Sequence, residues 1–147
     1  GMALADKLDG NSRKVFCING DGELQEGSIW EAAMSAAHHK LDNLVATVDR
    51  NRVQIDGKVQ DVMEIEPLAG KWKSFGWEVF ECDGNNIGDL METYRLAEGV
   101  LGKPSVVIAH TAMGRGVKEI ENDYRWHGKA PSAEQAEAFL AQLEKRK

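Results

Sequence analysis

The sequence has no C-x-x-C pair and no cysteine–histidine cluster, and its two cysteines, Cys17 and Cys82, both lie in apolar surroundings. This excludes a zinc finger or a disulfide scaffold and predicts two buried thiols in a reducing, cytoplasmic compartment. There is no basic run: 18 Lys and Arg stand against 24 Asp and Glu, a formal net charge of −6. Such a chain is a poor partner for nucleic acid or anionic membranes. No apolar stretch approaches the ~20 residues that span a bilayer, and no cationic start leads into an apolar run. Prolines number only three, and no repeat, low-complexity segment or linker interrupts the 147 residues. That length predicts one domain with a real core, and 42% hydrophobic with 29% charged residues suits a globular chain.

What is present is an alternation of short apolar runs and amphipathic segments. Val15–Ile18, Leu44–Val48, Trp77–Cys82 and Ser105–Ala109 are each bounded by turn residues and read as strands. Three of them lack alternation, as in a parallel sheet covered on both faces, whereas the Trp77–Cys82 run alternates. Helical patterns lie at Ser28–Lys40, rich in alanine, and at Leu68–Phe75. From Ile87 the apolar positions Ile87, Leu90, Met91, Tyr94, Ala97 and Leu101 mark one buried helix face. A last helix opens on Ser132 and Gln135 in capping-box spacing and ends in Lys145-Arg146-Lys147. The predicted fold class is α/β, a mostly parallel doubly wound sheet with flanking helices. Residues 112–130 show no sustained period, and a loop that long in a compact domain is usually functional or mobile.

In an open α/β sheet, ligands bind beyond the carboxyl ends of the strands. Asp21 follows the first strand between Gly20 and Gly22, and Asn51 follows the second. Hard oxygen donors and exposed backbone N–H groups suit a divalent cation bridging a diphosphate. The plainer alternative is an ordinary strand-to-helix turn. About one G-x-G is expected by chance in a chain of this length, and a second occurs at Gly114-Arg115-Gly116. The dinucleotide fingerprint fails because Gln25 stands where its third glycine belongs, and no G-K-[ST] supports a P-loop.

Gly20-Asp21-Gly22-Glu23-Leu24-Gln25-Glu26-Gly27, then Asp49-Arg50-Asn51-Arg52-Val53-Gln54-Ile55-Asp56-Gly57, and later Trp126-His127-Gly128-Lys129-Ala130-Pro131, resemble the thiamine-diphosphate signature of transketolases. The resemblance is closest to the separate N-terminal subunit of split transketolases and covers nearly the whole chain. It implies thiamine diphosphate with Mg²⁺ (or Ca²⁺ or Mn²⁺) as cofactors. Asp21, Asn51 and the Val53 carbonyl match the metal ligands. Gly20, Gly22 and Glu23 flank the diphosphate, and Ile55 matches the apolar residue beneath the thiazolium ring. The resemblance implies two catalytic residues: Glu26, matching an acidic residue near the subunit interface that shares protons with the partner's active site, and His127, matching a loop histidine close to the cofactor's reactive carbon and diphosphate. Read without the resemblance, Glu26 is a favourable charge at a helix N-terminus and His127 a surface histidine.

The resemblance further implies transfer of a two-carbon ketol unit between sugar phosphates, as in the pentose phosphate pathway. It implies a C-terminal, pyrimidine-domain partner subunit in a homodimer or heterotetramer, with the alanine-rich helix at the dimer contact. Transketolases carry a further stretch before the point matching residue 1, so the chain reads as a single diphosphate domain, 1–147, lacking the upstream part. Gly1-Met2 reads as a scar before a start methionine. The competing readings are a non-catalytic truncated fragment or pseudoenzyme, a 2-oxo acid dehydrogenase component, and a deoxyxylulose-phosphate synthase. The W-H-G-K-A-P stretch disfavours the last two.

Overall fold

A computed structural model describes residues 1–145, so Arg146 and Lys147 of the expected cationic helix end lie outside the described residues. The four apolar runs form one parallel sheet: β1 (Val15–Gly20), β2 (Leu44–Arg50), β5 (Glu78–Asp83) and β6 (Ser105–His110), in the order β1-β2-β6-β5. The register sets Gly20 beside Asp49, and Asp49 in turn beside Ala109. All four strands therefore end on one side of the molecule. A two-stranded antiparallel hairpin, β3 (Val53–Gln54) and β4 (Gly57–Lys58), follows β2 at that end. It was not among the predicted strands.

Helices α1 (Met2–Leu8), α2 (Gly27–His38), the short α3 (Val59–Val62) and α4 (Leu68–Ser74) share one core with the sheet. In it Ala46, Val48, Val106 and Ile108 meet Ala33 and Ala36 of α2 and Leu68 and Trp72 of α4. Small alanines let α2 lie close to the strands, and the bulk comes from aromatics. Trp72 packs against Trp30 and Trp77 at ring-centroid distances of 5.3 and 4.8 Å. Trp30 donates to the Leu24 carbonyl and Trp77 to that of Ala33, whereas the Nε1 of the more deeply buried Trp72 has no partner among the described residues.

Strand residues of opposite parity face the other way, as the pleat requires. There Val45, Val107, Ala109 and Cys82 meet α5 (Ile87–Glu98) through Leu90, Tyr94 and Ala97. Asn86 caps α5, its side chain accepting from the Gly88 and Asp89 N–H groups. α6 (Ala133–Glu144) has the predicted capping box between Ser132 and Gln135. Among the described residues no helix is long and apolar enough to cross a membrane.

Several expectations are corrected. The sheet is not covered on both faces at β1, an edge strand whose Phe16 and Ile18 are 49% and 71% exposed. They border an open apolar groove against Met91, Tyr94, Arg95 and Glu98 of α5. Cys17 is correspondingly exposed rather than buried, whereas Cys82 is buried and its burial pushes the thiol pKa up against a hydrogen bond with Thr93. The predicted apolar face of α5 is only half used: Ile87 and Met91 are exposed, and Leu101 lies beyond the helix and is also exposed. The helical period was right, but one helix covers only the strands beneath it.

The segment 112–130 is an ordered chain of turns rather than a featureless loop. Val117 and Gly116 are buried, and Gly114 sits so close to Ile120 that an added Cβ would meet its Cγ1 at 2.8 Å. A 3₁₀ turn at Tyr124–Trp126 lies against β4, and Trp126 packs edge-on to Phe139 of α6 at 5.7 Å.

Candidate active site at the strand ends

Asp21 is the first residue beyond β1 and is 1% exposed, which for a carboxylate demands compensation. Its Oδ2 accepts from Arg50 Nη1 at 2.7 Å and from the Arg52 backbone N–H at 2.6 Å. The second link decides the geometry, because Arg52 is the neighbour of Asn51. The turn after β1 and the turn after β2 are thus tied through one carboxylate oxygen. The other oxygen, Oδ1, is buried with no hydrogen-bond partner. An orphaned carboxylate oxygen is costly and marks a place for a cation or an ordered donor.

Arg50 is itself buried, and its second nitrogen binds Glu66 Oε1 at 3.0 Å. Burial works against its charge, but hydrogen bonds to Asp21 and then Glu66 outweigh it and raise its pKa above the ordinary value. The Glu66 carboxyl is held below the usual range, first by the Leu68 N–H and further by Arg50, against its partial burial. Arg50 thus remains cationic at every relevant pH and leaves Asp21 only one oxygen to offer.

Asn51 is half-buried. Its Oδ1 accepts from the Val53 N–H at 3.0 Å, and its Nδ2 donates to Asp49 Oδ2 at 3.1 Å. A carboxamide oxygen has two lone pairs, so one remains for a ligand. Val53 is buried at 4% exposure and starts the hairpin. Among the described residues no three His, Cys, Asp or Glu side chains gather as a metal cluster. Any cation here would rest on one carboxylate with amide and backbone oxygens, the donor set of Mg²⁺, Ca²⁺ or Mn²⁺ rather than of zinc. Asn51, Arg52 and Val53 line a cleft of about 340 Å³ together with Lys58, Gln60, Thr111, Ala112 and Asn122.

Gly22 starts a 3₁₀ turn and is pressed against the hairpin: an added Cβ would lie 2.7 Å from Gln54 Oε1 and 2.8 Å from its Cβ. Gln54 Nε2 is a second buried, unpartnered polar atom at the same place. Glu23 turns back on its own loop, accepting from Asn19 Nδ2 at 3.2 Å and from the Gly20 N–H at 3.1 Å. Its carboxylate shapes the glycine turn, and these two bonds give the side chain a local task.

Three predicted site residues stand at the surface. Ile55, at the hairpin tip, is 72% exposed. Glu26 caps α2 with its backbone and makes no side-chain capping bond. His127 is exposed directly after the 3₁₀ turn that rests on β4. Of the predicted site residues only Asn51 and Val53 line the cleft; Asp21, Gly20, Gly22 and Glu23 lie beside it, and Ile55, Glu26 and His127 do not line it.

Arg52, whose N–H donates to Asp21, has φ 66°, in the left-handed region disfavoured for any residue that carries a Cβ. Arg52→Gly is expected to raise stability by about 0.5–1 kcal/mol, the relief of left-handed strain less the added entropy of glycine. Urea unfolding checks this, and a loss of more than about 1 kcal/mol would mean that the arginine side chain carries an interaction of its own.

Sequence reasoning missed Arg50, Gln54, Asp49 and Thr111. Arg50 was legible only as part of the Asp49-Arg50-Asn51 run, and nothing local signals that its guanidinium turns inward.

The family profile for the transketolase thiamine diphosphate binding domain matches residues 5–144. The chain is 43% identical over 146 residues to one of the subunits of the apulose-4-phosphate transketolase of Phocaeicola vulgatus, covering 99% of this chain and 52% of that protein. It is 41% identical over 145 residues to the 6-deoxy-6-sulfo-D-fructose transketolase subunit SqwG of Clostridium sp., again covering 99% of this chain and 53% of the relative. The crystal structure of Campylobacter jejuni transketolase superposes with a TM-score of 0.84 at 29% identity, covering 98% of this chain and 22% of that one. The chain therefore spans about half the length of the two subunits it matches. A parallel sheet ending in Asp21 and Asn51, with a profile match across nearly all residues, shows that this chain belongs to the transketolase family, in its thiamine-diphosphate-binding domain.

Proposed function

We propose that this chain holds the diphosphate end of thiamine diphosphate through a divalent cation, Mg²⁺ or its substitutes Ca²⁺ and Mn²⁺, and serves ketol transfer between sugar phosphates as one part of a transketolase. The observation that carries the reading is the buried, unpartnered Asp21 Oδ1, fixed beside the Asn51 turn. Asp21 Oδ1, Asn51 Oδ1 and the Val53 carbonyl would hold the cation. Gly22, whose missing side chain makes room for Gln54 of the hairpin, would offer its N–H to the diphosphate, and Gly20 and Glu23 keep that turn in shape. Ile55 at the hairpin tip would present an apolar surface to the thiazolium ring, its exposure being what a ring needs to reach it. Glu26 and His127, both exposed, would face the partner and the reacting substrate.

Thiamine diphosphate, when bound, supplies the carbanion-stabilising chemistry of ketol transfer, while the protein supplies binding and orientation. The aminopyrimidine side of the cofactor needs a carboxylate from a second, pyrimidine-binding unit, which would be a partner subunit. Relatives that are themselves named as transketolase subunits support that requirement. A two-part assembly, as homodimer or heterotetramer, in the reducing cytoplasm suits two free thiols.

Isothermal titration of the purified chain with thiamine diphosphate and Mg²⁺ tests the reading. Heat that vanishes when the metal is chelated is the expected result. No binding by a folded sample would favour the alternative of a non-catalytic fragment. Adding the pyrimidine-domain partner should then permit two-carbon transfer from a ketose phosphate, and transfer by the chain alone would overturn the partner requirement.

A further inference from the structure

We propose that Asp49, held by Thr111, is a positioning residue that fixes which end of the Asn51 carboxamide faces the cleft. This inference rests on the metal-holding reading above and gives a task to Asp49 and Thr111, to which the sequence assigned none. An asparagine amide is nearly symmetric in shape, and its two orientations differ only in whether oxygen or NH₂ points a given way. A cation accepts the oxygen and rejects the NH₂. At Asn51 the choice is made by two opposed neighbours. Asp49 Oδ2 offers only lone pairs and takes Nδ2–H at 3.1 Å, and the Val53 N–H offers only a proton and takes Oδ1 at 3.0 Å. A rotated amide would set oxygen against carboxylate and NH₂ against N–H.

Asp49 is in turn fixed from three sides. Its backbone is locked in the sheet between Gly20 and Ala109. Its Oδ1 accepts from the Thr111 hydroxyl in a short contact. Its carbonyl accepts from the Asp21 N–H at 3.2 Å. One residue therefore steadies both candidate side-chain ligands, Asp21 through its backbone and Asn51 through its carboxylate. Thr111 is seated by the neighbouring strand end: an added Cβ on Gly84 would lie 2.6 Å from Thr111 Cγ2 and 2.9 Å from Ala109 Cβ. Gly84 thus leaves the room in which Thr111 reaches Asp49. Partners that orient a ligand in this way typically carry about 10- to 100-fold in metal affinity.

The experiment compares Asp49→Ala, Asp49→Asn and Thr111→Val with the parent chain in two readouts. The first is the Asn51 side-chain NH₂ signal in the ligand-free protein by NMR. The second is the Kd for thiamine diphosphate with Mg²⁺ by calorimetry. Asp49→Ala is expected to move the Asn51 NH₂ signal to the position of a free amide and to weaken binding about 10- to 100-fold. Asp49→Asn keeps an oxygen for Asn51 and turns its own NH₂ toward the Thr111 hydroxyl, so it should restore both readouts to within about 3-fold of the parent. A role in charge alone would not be rescued by this neutral side chain. Thr111→Val, which loses only the hydroxyl, should fall between the two and serves in place of Asp49→Ala should that variant not fold. Equal loss in Asp49→Asn and Asp49→Ala, or an Asn51 signal unchanged in Asp49→Ala or Thr111→Val, overturns the proposal. A parent chain whose Asn51 signal shows the hydrogen bond but which binds no cofactor refutes the metal-holding reading and leaves the amide's orientation decided by NMR alone.

Discussion

Arg50→Met is expected to lower the stability of the chain by about 3–5 kcal/mol, the usual cost of removing one partner from a buried ion pair. Methionine has about the right length and leaves no large void, so the loss reports charge rather than packing. In the parent, Arg50 and Asp21 are 5% and 1% exposed at their side chains and meet at 2.7 Å. Without the guanidinium, the Asp21 carboxylate keeps only the Arg52 N–H, too little to replace the water it gave up on folding. Glu66, half exposed, keeps its bond from the Leu68 N–H and offers only the freed oxygen to solvent. The measurement is the urea midpoint at constant slope. The double variant Asp21→Asn/Arg50→Met should recover part of the loss, because it removes the stranded charge. A cost below about 1 kcal/mol in the single variant would mean that water reaches Asp21.

Asp21→Asn is expected to abolish cofactor binding while sparing the fold. An asparagine oxygen can still accept from Arg50 and from the Arg52 N–H, so both turns stay tied. What it cannot supply is the second anionic oxygen, now orphaned in the interior. A cation and a diphosphate held without that charge lose about 3–5 kcal/mol, roughly two to four powers of ten in Kd. Titration of parent and variant under the same Mg²⁺ concentration measures it. Undiminished binding in Asp21→Asn would remove Asp21 from the metal site, and the proposed function with it.

The parts of the fold that depend on neighbours along the chain were legible. Four β-rich runs became four strands, Ser132 and Gln135 became a capping box, and the Asp21 and Asn51 turns met at one end of the sheet. The hairpin at Val53–Lys58 escaped because two-residue strands are too short to show a period. Phe16, Ile18, Met91 and Cys17 are apolar and yet exposed, because burial depends on what lies opposite, which no local pattern encodes. In the site, glycine and asparagine announced themselves by spacing. Arg50, Asp49 and Thr111 did not, since a charged or hydroxyl residue at a strand end is ordinary until the sheet register brings it to a partner far along the chain.

β1 has one further consequence. The Val15 and Asp21 amides reach across to the chain beside them, at Asn43 and Asp49, and the pleat gives Cys17 and Asn19 the same direction. Phe16 and Ile18 turn their N–H groups the opposite way, toward the edge of the sheet where β1 pairs with no strand of the described residues. Their protons can therefore trade with deuterium in the solvent while the molecule stays folded, and from Val15 to Asn19 slow and fast exchange alternate residue by residue, until the Gly20 N–H is taken by Glu23.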